Sequence, residues 1–150
     1  MMESLALVVA LALPAETECL AQNIYFEARN QSYVGKLATA HVVFNRMADP
    51  RFPSTACDVV KQARYDKSGR IIRNKCQFSW YCDGLSDKPK EHLAWEDAIS
   101  AAEDAMILWN NGYDMSEGAT FYHSRNVNPR WNRNMEMTVQ IDDHLFYRND

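Results

Sequence analysis

The sequence predicts an α+β domain, mainly helical, with a small antiparallel sheet near the C-terminus. Three observations predict it. Apolar residues recur at helical spacing through residues 16–47, a broad apolar helical face runs from Glu91 to Asn110, and after residue 118 the pattern shifts to short strand-like runs. At 150 residues the chain is long enough for one domain with a sizeable core. Hydrophobic residues at 47% and charged residues at 24% exclude general disorder. A net charge of −4 argues against a nucleic-acid partner.

Leu5 to Leu13 is an unbroken apolar run followed by Pro14-Ala15. It is too short to cross a bilayer as a helix, so no stable membrane insertion is expected. Two readings stand open for residues 1–15. One is a signal-peptide core, although Met1-Met2-Glu3-Ser4 lacks a cation; the other is a short apolar helix packed on the domain. The folded domain is expected over residues 16–150.

Glu16 to Arg29 reads as a helix with Leu20, Ile24 and Ala28 on one stripe, and Glu16 and Glu18 suit the positive end of its dipole. Ser32 can cap a second helix running to Met47, with Val34, Leu37, Ala38, His41, Val42 and Asn45 at helical spacing, until Asp49-Pro50 ends it. A short helix follows Pro53, capped by Ser54 or Thr55. Residues 64–75 are polar, basic and turn-like, which predicts a loop. The helix from Glu91 to Asn110 stops at Asn111-Gly112. Ala119 to His123, Met137 to Ile141 and Leu145 to Arg148 read as strands, the last two joined by a tight turn at Asp142-Asp143.

Glu27 lies late on its helix beside Ile24, Tyr25 and Phe26. It is either solvated, the commoner case for a helical Glu, or partly desolvated; desolvation would raise its pKa and hold a proton for general acid chemistry. In Cys76 to Gly84, aromatics alternate with polar residues. Rings stack on sugar faces and amides bond hydroxyls, which suits a sugar-binding wall of Gln77, Ser79 and Trp80. The competing reading is a core strand with Phe78 and Trp80 inside and a turn at Asp83-Gly84, and both hold if alternate residues face opposite ways. A third cluster offers Tyr122, His123, Arg130 and Trp131, with Arg125 and Arg133 nearby; the cations either meet carboxylates of an acidic substrate or form a solvated loop.

Four cysteines (Cys19, Cys57, Cys76, Cys82) allow disulfides, reduced core thiols or a zinc site, and the spacing suits zinc poorly. At least one disulfide is expected, among Cys57, Cys76 and Cys82. The histidines form no metal motif, and His41 reads as a satisfied core residue, so neither metal nor other cofactor is expected.

The order of motifs resembles the SleB-like cell wall hydrolase family. The matching pieces are Ile24-Tyr25-Phe26-Glu27-Ala28-Arg29, Gly35 with Ala38 to Arg46, Phe52-Pro53, and Cys57 with Val59-Val60. They continue with Gln77-Phe78-Ser79-Trp80, Asp83-Gly84, Gly118 to His123, Pro129 with Trp131, and Ile141, His144 and Phe146-Tyr147. The resemblance implies a lysozyme-like or resuscitation-factor-like helical domain with a groove, acting on peptidoglycan glycan strands. It implies cleavage of the β-1,4 bond between N-acetylmuramic acid and N-acetylglucosamine, with Glu27 as catalytic acid. It also implies transglycosylase chemistry, in which the substrate's 6-hydroxyl closes on the anomeric carbon.

Gln77, Ser79, Trp80, Tyr122, His123, Arg130 and Trp131 are the expected substrate-binding residues. Asp83, Glu136, Asp142 and Asp143 are candidates for the second carboxylate that hydrolysis would need. Asn30 stands where the family often has Gly, and Asn tolerates the left-handed backbone of such a turn. The alternatives are an amidase and a non-catalytic peptidoglycan-binding module. The expected setting is a monomeric, lone catalytic domain at the cell wall, as endolysin or wall-remodelling enzyme, exported by a signal peptide or released through a phage holin.

Overall fold

The computed structural model describes residues 13–150; the apolar segment before them lies outside the described residues. Helix α1, Ala15–Ala28, opens after Pro14 with Glu16 and Glu18 in its first turn. It buries Leu20, Ala21, Ile24, Tyr25 and Ala28, which contain the stripe read from the sequence. Helix α2, Tyr33–Met47, has the expected cap: Ser32 Oγ accepts from Gly35 N at 3.2 Å. The Ser32 N–H donates to the Asp142 carboxylate at 2.9 Å, tying the helix start to a distant turn. Gly35 sits in that junction, where an added Cβ would stand 3.0 Å from Gln31 Cβ and 3.2 Å from an Asp142 carboxylate oxygen.

Helix α3, Ala56–Val60, is capped by Thr55. Helix α4, His92–Asn110, packs against α1 and α2. Its fully buried residues are four alanines, Ala98, Ala101, Ala102 and Ala105. Small side chains let the three helices approach closely, whereas Leu93, Met106 and Ile107 stay exposed, so the apolar face is narrower than its composition suggests.

The segment expected as a loop is a hairpin of β1, Ala63–Tyr65, and β2, Ile71–Cys76. Both strands are largely exposed on both faces, so they lack the alternation that betrays a half-buried strand. Its turn is closed by the Asp66 carboxylate, which accepts from the Ser68 and Arg70 amides, and by Gly69 at φ 82°. The stretch that follows is not a core strand: β2 stops at Cys76, and Ser79–Cys82 forms a 3-10 turn. The turn at Asp83-Gly84 is present, with Gly84 at φ 83° and Asp83 accepting from the Leu85 amide.

Three C-terminal strands, β3 (Phe121–Ser124), β4 (Glu136–Ile141) and β5 (His144–Arg148), form an antiparallel sheet in the order β3-β5-β4. Ile141 pairs with His144 across the expected turn, where Asp142 takes φ 51°. Phe146, fully buried, carries the sheet onto Ala38 and Val42 of α2. Helices plus a small antiparallel sheet are the predicted α+β class.

All four cysteines are paired, Cys19 with Cys57 and Cys76 with Cys82. The first bridge pins α1 to α3, and the second closes the base of the hairpin over Gln77 to Tyr81. His41 is a satisfied core residue: its Nε2 lies 3.0 Å from Ala105 O, and its Nδ1 accepts from the Met115 amide at 2.9 Å.

Candidate active site

The site forms where the end of α1, the end of α2 and β3 converge. Glu27, next to last in α1, is half-buried. Its neighbour Tyr25 is anchored by its hydroxyl, which accepts from the Lys90 and Glu91 amides at 3.1 Å each. Phe26 stacks on Trp80 with ring centroids 4.8 Å apart. The helix end cannot rotate without breaking both contacts, so the Glu27 carboxyl is held in place from two sides.

Two side chains bear on that carboxyl, Tyr122 from β3 and Arg46 from the last turn of α2. Burial raises the pKa of Glu27 from 4.5, while the Tyr122 hydroxyl and the Arg46 charge pull it the other way. Burial also pushes the Tyr122 phenol well above 10, with the Glu27 charge adding to it, so it stays protonated. The Tyr122 hydroxyl is buried without a partner at ordinary hydrogen-bond geometry, although it is near enough to Glu27 to bias its charge. Its ring lies 4.8 Å from His144, whose pKa burial lowers from 6.5, keeping that imidazole neutral at pH 7.

Arg46 is only 2% exposed. Its Cζ lies 5.0, 5.1 and 4.9 Å from the rings of Phe52, Phe78 and Phe121, a three-sided aromatic cage. Its Nε donates to Thr120 O at 2.7 Å, and one terminal nitrogen is buried with no partner. Burial lowers its pKa to about 10, so it remains a cation at neutral pH. A buried cation with an unused N–H, beside a carboxyl whose pKa burial raises, is an arrangement suited to proton transfer. Sequence reasoning did not single out Arg46. The available signal was an Arg one turn after Val42 and two turns after Ala38.

The other predicted residues divide by exposure. Gln77 and Ser79 are exposed while Phe78 and Trp80 are buried, so alternate residues do face opposite ways. Trp80 is 6% exposed and donates its Nε1–H to Asn23 at 2.9 Å, so it backs the wall instead of offering a ring face to a sugar. His123 is buried as well, bonded to the Tyr147 hydroxyl at 2.9 Å and to Ser124 O at 2.8 Å. Trp131 is half-buried edge-on against His123 and Tyr147, and Arg130 is exposed beside it.

Each candidate second carboxylate is engaged elsewhere. Asp83 caps its own turn, Asp142 accepts from Ser32, Asp143 pairs with Arg125 at 3.0 Å, and Glu136 pairs with Arg148 at 2.8 Å. Among the described residues, no group of three or more His, Cys, Asp or Glu is placed to hold a metal ion. The nearby cavities flank the segment after β2. One of about 480 Å³ includes Gln62, Arg64, Lys75 and Gln77, and one of about 340 Å³ includes Tyr25, Phe26, Arg29 and Glu91.

Comparison with known proteins bears on the same region. The family described as Cell Wall Hydrolase matches residues 30–147, a span that includes Arg46, Gln77 and Tyr122 and begins just after Glu27. A spore cortex-lytic enzyme of Halalkalibacterium halodurans is 30% identical over 132 residues, 87% of this chain and 34% of the relative. A spore cortex-lytic enzyme of Bacillus subtilis is 28% identical over 129 residues, 85% of this chain and 35% of the relative. The chain thus spans about a third of the length of these curated relatives. The catalytic domain of the germination-specific lytic transglycosylase SleB from Bacillus anthracis has the same fold. It superposes with a TM-score of 0.67 at 23% identity, covering 94% of this chain and 100% of that domain.

Proposed function

The chain belongs to the cell wall hydrolase family, and from that premise we propose that it cleaves peptidoglycan glycan strands. The bond is the β-1,4 link between N-acetylmuramic acid and N-acetylglucosamine, and Glu27 is the catalytic residue. The observation that carries this reading is the setting of Glu27: a half-buried carboxyl with a raised pKa, faced by a protonated Tyr122 and a caged Arg46. The likeness to enzymes named spore cortex-lytic supports a wall polymer as substrate.

The chemistry follows from one carboxyl acting twice. Protonated Glu27 gives its proton to the glycosidic oxygen as the C1–O bond breaks, and the sugar leaving with that oxygen departs as an alcohol. Glu27 is then a carboxylate, and Arg46 stabilises it. The 6-hydroxyl of the muramic sugar attacks C1 and gives its proton back to Glu27. The product is a 1,6-anhydro sugar, and no water is consumed. Tyr122 stays a neutral phenol throughout and orients the carboxyl. Gln77 and Ser79 line the exposed side and contact sugar hydroxyls, while Trp80 and His123 hold that wall from behind. Exposed Arg130 and half-buried Trp131 complete the substrate-binding set. Engagement of Asp83, Glu136, Asp142 and Asp143 in other bonds favours this one-carboxyl route over hydrolysis. The site of action is the cell wall, in an endolysin or remodelling role.

The test is mass spectrometry of fragments released from purified sacculi by the wild type and by Glu27→Gln. Anhydro-ended fragments are expected from the wild type, falling at least about a hundred-fold in the variant, the low end of what general acid catalysis contributes. Reducing ends would assign hydrolysis, free peptides an amidase, and tight binding without fragments a binding module. Full activity of Glu27→Gln would remove Glu27 from the mechanism.

A further inference from the structure

Hairpin β1–β2 concentrates charge of one sign. Arg64, Lys67, Arg70, Arg73 and Lys75 lie within residues 63–76, with Asp66 the only acid there. The Asp66 carboxylate is already held by the Ser68 and Arg70 amides. Among the described residues, none of these five cations pairs with a carboxylate, although the chain as a whole carries a net charge of −4. Acidic partners are plentiful elsewhere on the surface, so an unpaired cationic arm is a local feature and not a consequence of composition.

The arm also borders a cavity. Arg64 and Lys75 line the space of about 480 Å³, together with Gln62 and Gln77. The Gln62 side-chain oxygen is buried and accepts no hydrogen bond. The cavity therefore combines two free cations with an unused acceptor and an exposed amide. A ligand matching that set carries carboxylates for the cations and amide N–H groups for Gln62. A peptide with free carboxylates has both. The Cys76–Cys82 bridge holds Gln77 at the edge of this cavity, one residue from Phe78, whose ring lies 5.1 Å from Arg46 Cζ and 6.5 Å from the Tyr122 ring. The cavity is thus adjacent to the segment that backs the Glu27 site.

We propose that the β1–β2 hairpin, with Arg64, Lys75 and Gln62 at its cavity, is a binding site for the acidic stem peptide of the glycan strand that Glu27 cleaves. This rests on the peptidoglycan reading above. The hairpin reads the peptide, and the residues around Glu27 read the sugars. Binding on both sides of the segment fixes which muramic sugar sits over the catalytic carboxyl.

The experiment measures pelleting of the wild type and of Arg64→Gln/Lys75→Gln with purified sacculi, native or with their free carboxylates amidated by carbodiimide coupling. Both substitutions are at exposed residues of an exposed hairpin, and thermal unfolding checks that the variant is folded. The variant is expected to bind native sacculi about ten-fold more weakly. Amidation is expected to lower the wild type to the level of the variant and to leave the variant unchanged.

Equal binding of the two proteins to native sacculi would overturn the proposal. So would a ten-fold difference that survives amidation. Equally tight, hairpin-dependent binding to phosphatidylglycerol vesicles or to duplex DNA would also overturn it, in favour of a generic polyanion surface. Fragment release by the wild type and its loss in Glu27→Gln read the catalytic assignment separately. Carboxylate-dependent binding without Glu27-dependent release would keep the hairpin site and remove the glycosidase reading.

Discussion

Removing each disulfide separately should produce two different failures. Cys19–Cys57 closes a span of 38 residues and joins α1 to α3; Cys76–Cys82 closes a span of 6. Loop-closure entropy grows with the logarithm of the span, which gives about 3.9 kcal/mol for the long bridge and about 2.2 kcal/mol for the short one. For a domain of this size each kcal/mol moves the melting temperature by about 2–4 °C. Cys19→Ser/Cys57→Ser should therefore melt about 8–16 °C below the wild type, and Cys76→Ser/Cys82→Ser about 4–9 °C below it.

Activity should rank the other way. The long bridge joins the first half of α1 to α3, whereas the short one clamps both ends of the segment carrying Gln77, Phe78, Ser79 and Trp80. With that clamp gone, Phe78 and Trp80 lose their fixed placement behind Arg46 and Phe26. The assay is thermal unfolding of the oxidised proteins, paired with fragment release from sacculi well below every melting temperature. A larger drop in melting temperature for the short bridge would refute the loop-length reasoning. Undiminished turnover by Cys76→Ser/Cys82→Ser would refute the claim that the bridge holds the wall of the groove.

Two further expectations concern charge. Glu27 has a folded-state pKa above 4.5, so its contribution to stability is complete below pH 4.5 and is lost as pH rises through the raised value. Glu27→Gln should therefore match the wild type in acid and melt progressively higher than it as pH rises. His41 and His144, whose pKa values burial lowers from 6.5, lose stability as pH falls but do so equally in both proteins. A pH-independent difference in melting temperature would contradict the burial of Glu27. Arg46→Met removes the charge that opposes that burial, so Glu27 should keep its proton to higher pH and the alkaline limb of activity should move upward, while Arg46→Lys holds the wild-type limb. Superimposable pH profiles for the three proteins would leave Arg46 with a packing role alone.

The helices were legible because each buries one face. Leu20, Ile24 and Ala28 in α1, and the Ser32 cap of α2, are local signals, and local signals are what a single sequence carries. The β1–β2 hairpin was not legible because it has no buried face; it is held by its ladder, by Asp66 and by a disulfide. The exposure of Gln77 and Ser79 against the burial of Phe78 and Trp80 was readable, although the backbone that delivers it is a 3-10 turn and not a strand. Four cysteines fixed the number of possible pairings, but the choice among them depends on where α3 and the hairpin base come to rest.

The site follows the same division. Glu27 and Tyr122 are candidates on motif order, whereas the placement of Arg46 beside them was hidden, because its three aromatic contacts come from residues 52, 78 and 121. That hidden part bears directly on the proposed chemistry. A single carboxyl that first gives and then takes a proton must be neither too acidic nor too basic. Burial alone would hold the proton on Glu27 and stall the second half of the reaction. A surface cation could lower the pKa, but water and salt would screen it. A cation fixed among Phe52, Phe78 and Phe121, deprived of solvent and with one N–H unspent, opposes burial without being screened. The two influences come from different elements, α1 and α2, and β3 adds the phenol between them. The acid–base character of Glu27 is therefore a property of the convergence of those elements and not of the helix that carries it.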